Sequence, residues 1–544
     1  MAATNASTRR RGASYRRAGE WTDHRIGDLL ALKASDHPDR ELFTLMAHRV
    51  SYGEFNASVM STAADLTRLG VGRGDRVLVQ LPNCLEALMF QVAAFRIGAV
   101  DVPVVPIYRE HEMRQILSDS TPAAIIVATE MRGRAPTAEF DSLLSDIDHQ
   151  PLVRYAIGGR RKGWREPPAS LPDTPTNLPE PLDADESALL LYTSGTTSAP
   201  KGALISSQAL FAHLRNFQTT LSADASTVTL TAIPLSHLGG FVSGVVFPAF
   251  LGGRSVIMSG WDPDDAVSVI EEQRVTLMMG ATVFLTDLVE RYERGHGAGH
   301  RLTTYACAGS AIPGSLIDRA NRVGVTALRA YGMTETAGVC AAAAPTDPLD
   351  RRRNWDGRVL PGMEIQAVDE NRAPLAPGDV GELRIRGPQL LSAYTDTRLT
   401  ESQLDAAGWF YPGDIGRVDA AGWVQLAGRS KDIVNRGGEK FSTMDIELAL
   451  LSCPDVEAAA VTAVSHDRLG EAVGAWLVVR DVASWSGPEP LIVHLINQNL
   501  ARQKIPTIWH VVPVIPTSAS GKVQKHRLAE AADVKTWVTT KGNE

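Results

Sequence analysis

The chain has 544 residues, with 54 basic against 62 acidic side chains and a formal net charge of −8. At 44% hydrophobic and 21% charged residues it is compositionally globular, which excludes disordered, collagenous and coiled-coil classes. Its length argues for several folding units whose cores need no metal or disulfide staple, and its pI of about 5.9 excludes a bulk electrostatic grip on nucleic acid or an anionic membrane.

The first nineteen residues carry five arginines and no acid, and residues 1–20 read as a flexible basic tail. Ile26–Ala34 reads as a helix. Arg76–Gln80 and Ala123–Val127 are short apolar runs bounded by turns, the pattern of buried parallel strands, with a helix over Cys84–Ile97 between them. Tyr155–Glu186 turns polar and proline-rich, which reads as a linker or surface excursion. From Ala188 onward strands and helices alternate again. Leu238–Gly253 is uncharged over sixteen residues, but it is too short to span a bilayer and is broken by glycines and Pro248. Asp262-Pro263 is a helix start, with Asp as cap and Pro at the first helical position, and the helix runs to about Gln273 before the apolar run Val275–Met279. This alternation predicts a doubly wound α/β architecture. Between Asp356 and Gln425 the texture changes to short alternating strands such as Glu382–Arg386 between Gly and Pro turns, a small antiparallel β unit. From about Lys431 helices and strands resume. Cys84, Cys307, Cys340 and Cys453 are scattered without a CxxC pair, which fits reduced thiols and a cytoplasmic protein.

The sharpest chemical signal is Leu189–Gly202, LLLYTSGTTSAPKG. An apolar strand runs into a loop of hydroxyl residues, two glycines and Lys201, which offers a polyphosphate backbone N–H groups, hydroxyls and a point charge. Gly-Lys-Ser/Thr is absent, so this is not a Walker A loop. Tyr331-Gly332-Met333-Thr334-Glu335-Thr336 presents a hydroxyl and a carboxylate on a tight turn, which suits phosphate and Mg²⁺ contact. Further on stand Tyr411-Pro412-Gly413-Asp414, Gly428–Asp432, Asn435–Lys440 and Pro516–Lys525. In the last of these, Gly521-Lys522 places a lysine in a Ser-rich loop.

In this order, from roughly Asp28 to Leu528, these motifs resemble those of the adenylate-forming superfamily of acyl-CoA synthetases, nonribosomal-peptide adenylation domains and beetle luciferases. The family loop has a further glycine where this chain has Ser198. The resemblance implies an α/β fold: a large N-terminal domain (21–430) of two doubly wound α/β subdomains plus a small β-barrel unit, hinged to a small mobile α+β C-terminal domain (431–544). It implies that ATP binds through Thr193, Ser194, Gly195, Thr196, Thr197 and Lys201. The strip Gly309-Ser310-Ala311 would lie against adenine beside Tyr331, Gly332 and Met333, with Asp414 on the ribose, Arg429 on the nucleotide and Lys440 on the phosphates. Glu335 and Thr196 would hold Mg²⁺, Thr334 would contact phosphate, and Lys431 would be the hinge. Gly437 and Gly438 would let a pantetheine arm approach. Lys522 would stabilise the charge built at the carboxylate–phosphate junction.

Ile233–Gly240 resembles the family segment lining the acyl pocket, with His237 at its gate. Amino-acid-activating members place an Asp just after this point; here Leu238 follows, so an α-amino acid is not the expected substrate. Phe241, Val242, Gly280–Val283 and Met333 are apolar, which suits a neutral alkyl, alicyclic or aromatic acid. The expected reaction forms acyl-AMP and pyrophosphate, then transfers the acyl group to coenzyme A. An aryl or acyl carrier protein is the alternative acceptor, and a specialist in one half-reaction stays open. No covalent enzyme intermediate is needed, which agrees with the lack of a nucleophile motif. A luciferase-type oxygenase would need a luciferin-like substrate that nothing in the sequence suggests. A non-catalytic nucleotide sensor would not be expected to keep Lys201, Glu335, Asp414 and Lys522. The other expectations are no nucleic-acid or membrane partner and a monomer or homodimer.

Overall fold

The computed structural model describes residues 12–168, 178–194, 200–309, 312–429, 432–436, 439–466, 470–483, 485–498, 500–517, 523–530 and 534–539. Among the described residues the strands assemble into four sheets. A seven-stranded sheet has at its centre the buried parallel strands Val100–Pro103, Arg76–Gln80 and Ala124–Ala128. It is extended on one side by the antiparallel pair Ser187–Ser194 and Pro200–Ser206. A nine-stranded sheet runs in parallel through Thr326–Met333, Thr304–Ala308, Leu277–Gly280, Val228–Thr231, Arg254–Ile257 and Glu41–Leu45. These two sheets with their helices are the doubly wound pair. Both faces are covered at the centre, so strands such as Ala124–Ala128 and Val100–Pro103 are buried at every position rather than at alternate ones.

Local signals explain the elements. Asp262 caps the helix Pro263–Glu272 by accepting from the backbone N–H groups of Asp264 and Asp265, both at 3.0 Å. Ser51 and Glu54 close a capping box on the helix Tyr52–Arg68. The uncharged stretch Leu238–Gly253 folds as a short helix, a π turn and a second short helix ending at Gly252. No helix among the described residues is long and apolar enough to cross a membrane.

Two features differ from the sequence reading. The small β unit, Glu364–Val368, Gly381–Arg386, Asp414–Val418 and Val424–Arg429, is an open four-stranded antiparallel sheet rather than a closed barrel among the described residues. Its first and last strands each have one paired edge. Residues 12–17, read as flexible tail, are helical. The reason is Trp21, which is buried and donates its indole N–H to the Pro388 carbonyl at 2.9 Å, with the Tyr15 ring 5.4 Å away. Residues 1–11 lie outside the described residues.

The last unit holds the strands Ile433–Arg436, Glu439–Ser442, Val456–His466, Gly470–Val479, Ile508–Val511 and Lys535–Val538 in one sheet. It has its own core around Val434, Ile446, Leu450, Val461, Val473, Leu477 and Trp509.

One buried amide docks the two large sheets. Asn83 donates to the carbonyls of Met258 (2.9 Å) and Ile233 (3.2 Å) and accepts from the Leu235 N–H (2.8 Å). Asn83→Ala strands one buried N–H and two carbonyls, so urea unfolding is expected to show a loss of about 2–4 kcal/mol. An unchanged midpoint and slope would show that the Ile233–Leu235 segment is held by something else.

Candidate functional site

The carboxyl ends of strands from both large sheets converge on one cavity of about 540 Å³. Pro103 and Thr193 come from the seven-stranded sheet, and Gly280, Ala308, Gly309 and Met333 from the nine-stranded one. Open α/β sheets bind ligands at such carboxyl ends, and the volume suits a small molecule with a cofactor-sized tail.

Asp414 lies next to one wall, 4% exposed, at the start of its strand after the lining residue Gly413, whose φ of +76° favours glycine. Tyr331 donates its hydroxyl to Asp414 Oδ2 (2.6 Å), and Arg429 donates its Nε–H to Oδ1 (3.0 Å). Burial first, then the Asp414 charge, pushes the Tyr331 phenol far up, so it remains a donor. Each Asp414 oxygen has one such donor and keeps a lone pair for a further one. Three residues singled out in separate motifs thus form one cluster.

Glu335 lies in the 3₁₀ turn Thr334–Thr336. Tyr394 approaches its Oε1 at 2.8 Å with the Gln403 side chain 2.9 Å from the same hydroxyl, and the Leu391 N–H donates to the Glu335 carbonyl at 2.8 Å. Burial, then Glu335, pushes the Tyr394 phenol up as well. Gln389, fully buried, donates to the carbonyls of Val339 (2.7 Å) and Thr336 (3.3 Å), pinning the turn from behind. A Cβ at Gly332 would lie 2.2 Å from the Gly338 carbonyl oxygen, so only glycine fits there. Met333, Thr334 and Glu335 all line the cavity.

Thr193 and Lys201 also line it, facing each other across the antiparallel stem of the Ser187–Ser194 and Pro200–Ser206 strands. Gly195, Thr196 and Thr197 at the tip lie outside the described residues, as do Ser310, Ala311, Lys431, Gly437, Gly438 and Lys522. Ser194 is described in its backbone only. Lys440 is placed in the strand Glu439–Ser442 opposite Asn435, again for the backbone only. His237 caps the helix Leu238–Phe241, its Nδ1 accepting from the Gly239 N–H at 3.2 Å, and its ring lines the cavity. Accepting at Nδ1 leaves the ring proton on Nε2. No group of three or more His, Cys, Asp or Glu side chains among the described residues is arranged to hold a metal. A cation here would therefore depend on Glu335 together with ligand oxygens, a donor set that suits Mg²⁺.

Sequence reasoning missed His213. It lines the cavity from the helix Ser207–Leu221, is buried, and stacks on Phe217 with ring centroids 5.3 Å apart. A Cβ at Gly338 would come within 2.7 Å of its Nε2. Burial pushes its pKa down to about 4, opposed by a backbone hydrogen bond to Val339. The His213–Phe217 i,i+4 pairing was the available signal, though a helical apolar face does not say what it faces. Tyr394, Gln389 and Asn83 carried no local signal at all.

The chain matches the AMP-binding enzyme family over residues 30–395 and the C-terminal domain of AMP-binding enzymes over residues 445–522. It is 32% identical to the medium-chain fatty-acid–CoA ligase of Escherichia coli K12 over 536 residues, covering 97% of this chain and 94% of that one. It is 29% identical to the 2,3-dihydroxybenzoate–AMP ligase of Bacillus subtilis, covering 96% of each. Among solved structures it is similar to ATP-bound MatB of Rhodopseudomonas palustris, with a TM-score of 0.80, 26% identity, and 93% and 98% of the two chains covered.

The buried imidazole gives a stability signature. Its folded pKa lies below its unfolded value near 6.5, so above pH 6.5 both states are neutral and it costs nothing. As pH falls from 6.5 towards 4 the unfolded chain gains a proton that the folded one refuses, and stability drops by up to about 3 kcal/mol. His213→Gln removes this slope. The measurement is the difference in unfolding free energy between wild type and variant at pH 7 and pH 4.5, and equal differences at both would refute a buried neutral ring.

Proposed function

Because the chain belongs to the AMP-binding enzyme family, we propose that it is an AMP-forming acid–thiol ligase. A carboxylate oxygen attacks the α-phosphorus of ATP and pyrophosphate leaves. The thiol sulfur of coenzyme A then attacks the acyl carbon of the mixed anhydride, and AMP leaves with the P–O bond intact. The observation that carries this reading is the convergence on one cavity of Thr193, Lys201, Gly309, Glu335 and Arg429, with Asp414 bonded to Arg429 behind the wall; these residues are spread over more than two hundred positions of sequence.

In this reading the free lone pairs of Asp414 accept from the two ribose hydroxyls, while Tyr331 and Arg429 hold the carboxylate at the required angle. Gly309, Ser310, Ala311, Gly332 and Met333 form the adenine slot. The hydroxyls and N–H groups of Thr193–Thr197 and the ammonium groups of Lys201 and Lys440 face the phosphates, with Thr334 beside them. Glu335 and Thr196 would hold Mg²⁺, which when bound neutralises the phosphate oxygens. His237 closes the acyl end, where Leu238, Val242, Met279 and the neutral His213 ring offer no charge. That supports a neutral acid as substrate. Lys431 is assigned as the hinge between domains 21–430 and 431–544, Lys522 as the adenylating cation, and Gly437-Gly438 as the gap that admits the pantetheine arm.

The deciding experiment is ATP–pyrophosphate exchange over alkyl, aryl and amino acids, followed by thioester assays with coenzyme A and with a carrier protein. Neutral acids are expected to drive exchange, and robust exchange with α-amino acids would overturn the pocket assignment. Asp414→Ala should weaken AMP binding by about 1–3 kcal/mol in calorimetry, and unchanged affinity would remove it from the ribose. Lys522→Ala should slow acyl-AMP formation by ~10²-fold or more while sparing thioester formation from supplied acyl-AMP. Gly438→Leu should do the reverse.

A further inference from the structure

We propose that Lys525 is a positioning residue, which locks the loop bearing Lys522 to the first residue after the hinge so that hinge and loop turn as one body. This rests on the ligase reading above and assigns a role to the last residue of the Pro516–Lys525 motif, beside the one that reading gives to Lys522.

The loop is closed at its base. Thr517 pairs with Val523 in an antiparallel bridge, and the Gln524 N–H donates to the Pro516 carbonyl at 2.8 Å. Gln524 itself lines the active cavity. Directly after it, Lys525 opens the 3₁₀ helix Lys525–Glu530, and its ammonium reaches inward. It donates to Thr443 Oγ1 at 2.7 Å and lies 2.8 Å from Glu447 Oε1 and 3.7 Å from Asp432 Oδ2. Two of these partners share one helix start, and the third lies beside the hinge. Asp432 immediately follows the hinge position, and its carbonyl accepts from the Thr443 N–H at 3.3 Å. Thr443 and Glu447 begin the helix Met444–Leu451. Glu447 also accepts from the Val461 N–H at 2.8 Å, which brings in the strand Val456–His466. One ammonium therefore joins the post-hinge residue, a helix start, a strand and the loop base.

Stability alone does not account for this arrangement. The carboxylate of Glu447 is 17% exposed and the Lys525 side chain 21%, so both groups give up much of their hydration. A mostly buried ion pair of this kind is often no more stabilising than an apolar pair of equal volume. What it supplies is fixed geometry, since an ammonium among a hydroxyl and two carboxylates has one place to sit. A lysine three residues upstream must reach the reacting phosphorus to within fractions of an ångström, and misplacement by about 1 Å costs on the order of 10²-fold in rate. Anchoring the loop base to residue 432 transmits the hinge angle to that lysine.

The test is single-turnover acyl-AMP formation and, separately, thioester formation from supplied acyl-AMP, in full-length wild type, Lys525→Met, Lys525→Arg, Glu447→Gln and Lys522→Ala. Lys525→Met is expected to lower the rate constant of acyl-AMP formation by about 10- to 100-fold. It should leave the KM for ATP near wild type and slow thioester formation far less. Lys525→Arg, which can still bridge both carboxylates, should recover most of the loss. Glu447→Gln, a milder change that keeps an acceptor, should show the same selectivity at smaller size. Equal slowing of both half-reactions by Lys525→Met would overturn the proposal, as would a fall in thermal stability with acyl-AMP formation intact or failure of arginine to rescue. If Lys522→Ala impairs acyl-AMP formation and Lys525→Met does not, only this inference fails. If Lys522→Ala is itself silent, the assignment of Lys522 fails first and this inference with it.

Discussion

Two carboxylates, one buried and one half-buried, have to be held by something, and the architecture follows from how that is done. Asp414 belongs to the four-stranded sheet, and its partner Tyr331 comes from the nine-stranded one. Glu335 follows the nine-stranded sheet, and its partner Tyr394 is an edge residue of the seven-stranded one. Each acid is thus pinned by a phenol from a different sheet. A carboxylate removed from water without donors costs far more than either hydrogen bond returns. The two acids are therefore correctly oriented only when all three sheets are docked, so the site is a product of tertiary assembly rather than of any one loop.

That dependence decides what could be read from the sequence. Elements set by local rules were legible. Arg76–Gln80 is a strand at the expected residues, and the helix after Asp262 starts on its cap and ends at Glu272, one residue short of the expected limit. The apolar run expected at Val275–Met279 becomes Leu277–Gly280, a shift of the size expected where a strand's ends are set by its neighbours. Motif residues with a chemical signature were found in or directly beside one cavity wall, Glu335 and Arg429 lining it and Tyr331 and Asp414 bonded behind it, because the resemblance already grouped them. Their supporting partners were invisible. Tyr394, Gln389 and Asn83 lie 50 to 175 residues from the atoms they hold, and nothing in their own neighbourhood marks them.

The same reasoning explains the two differences in fold. Whether four short antiparallel strands close into a barrel depends on edge pairing, which alternation along a strand does not encode. Here the first and last strands of the unit stay apart. The amino-terminal segment looked like a tail because five arginines and no acid dominate its composition. One tryptophan outweighs that, by burying its ring beneath residue 388 and giving its N–H a carbonyl.

The division of labour between the two basic residue types fits this picture. The chain has 44 arginines and 10 lysines. Among the described residues the ion pairs that brace the fold are almost all made by arginine, as in Arg134–Glu139, Arg319–Glu293 and Arg386–Glu364. A planar fork with five donors suits fixed carboxylates, because it is preorganised and loses little freedom on pairing. A lysine on a flexible stem suits a place where charge must be compact or must arrive and leave, as on a phosphate that is present for only part of a turnover. Lys525 fits neither pattern. It spends a compact charge on three partners inside the terminal unit, in a chain whose other ion pairs among the described residues, Lys504–Asp445 apart, are made by arginine. An ammonium carries three donors on a single atom, so one compact charge serves the Thr443 hydroxyl and the Glu447 carboxylate with Asp432 close by.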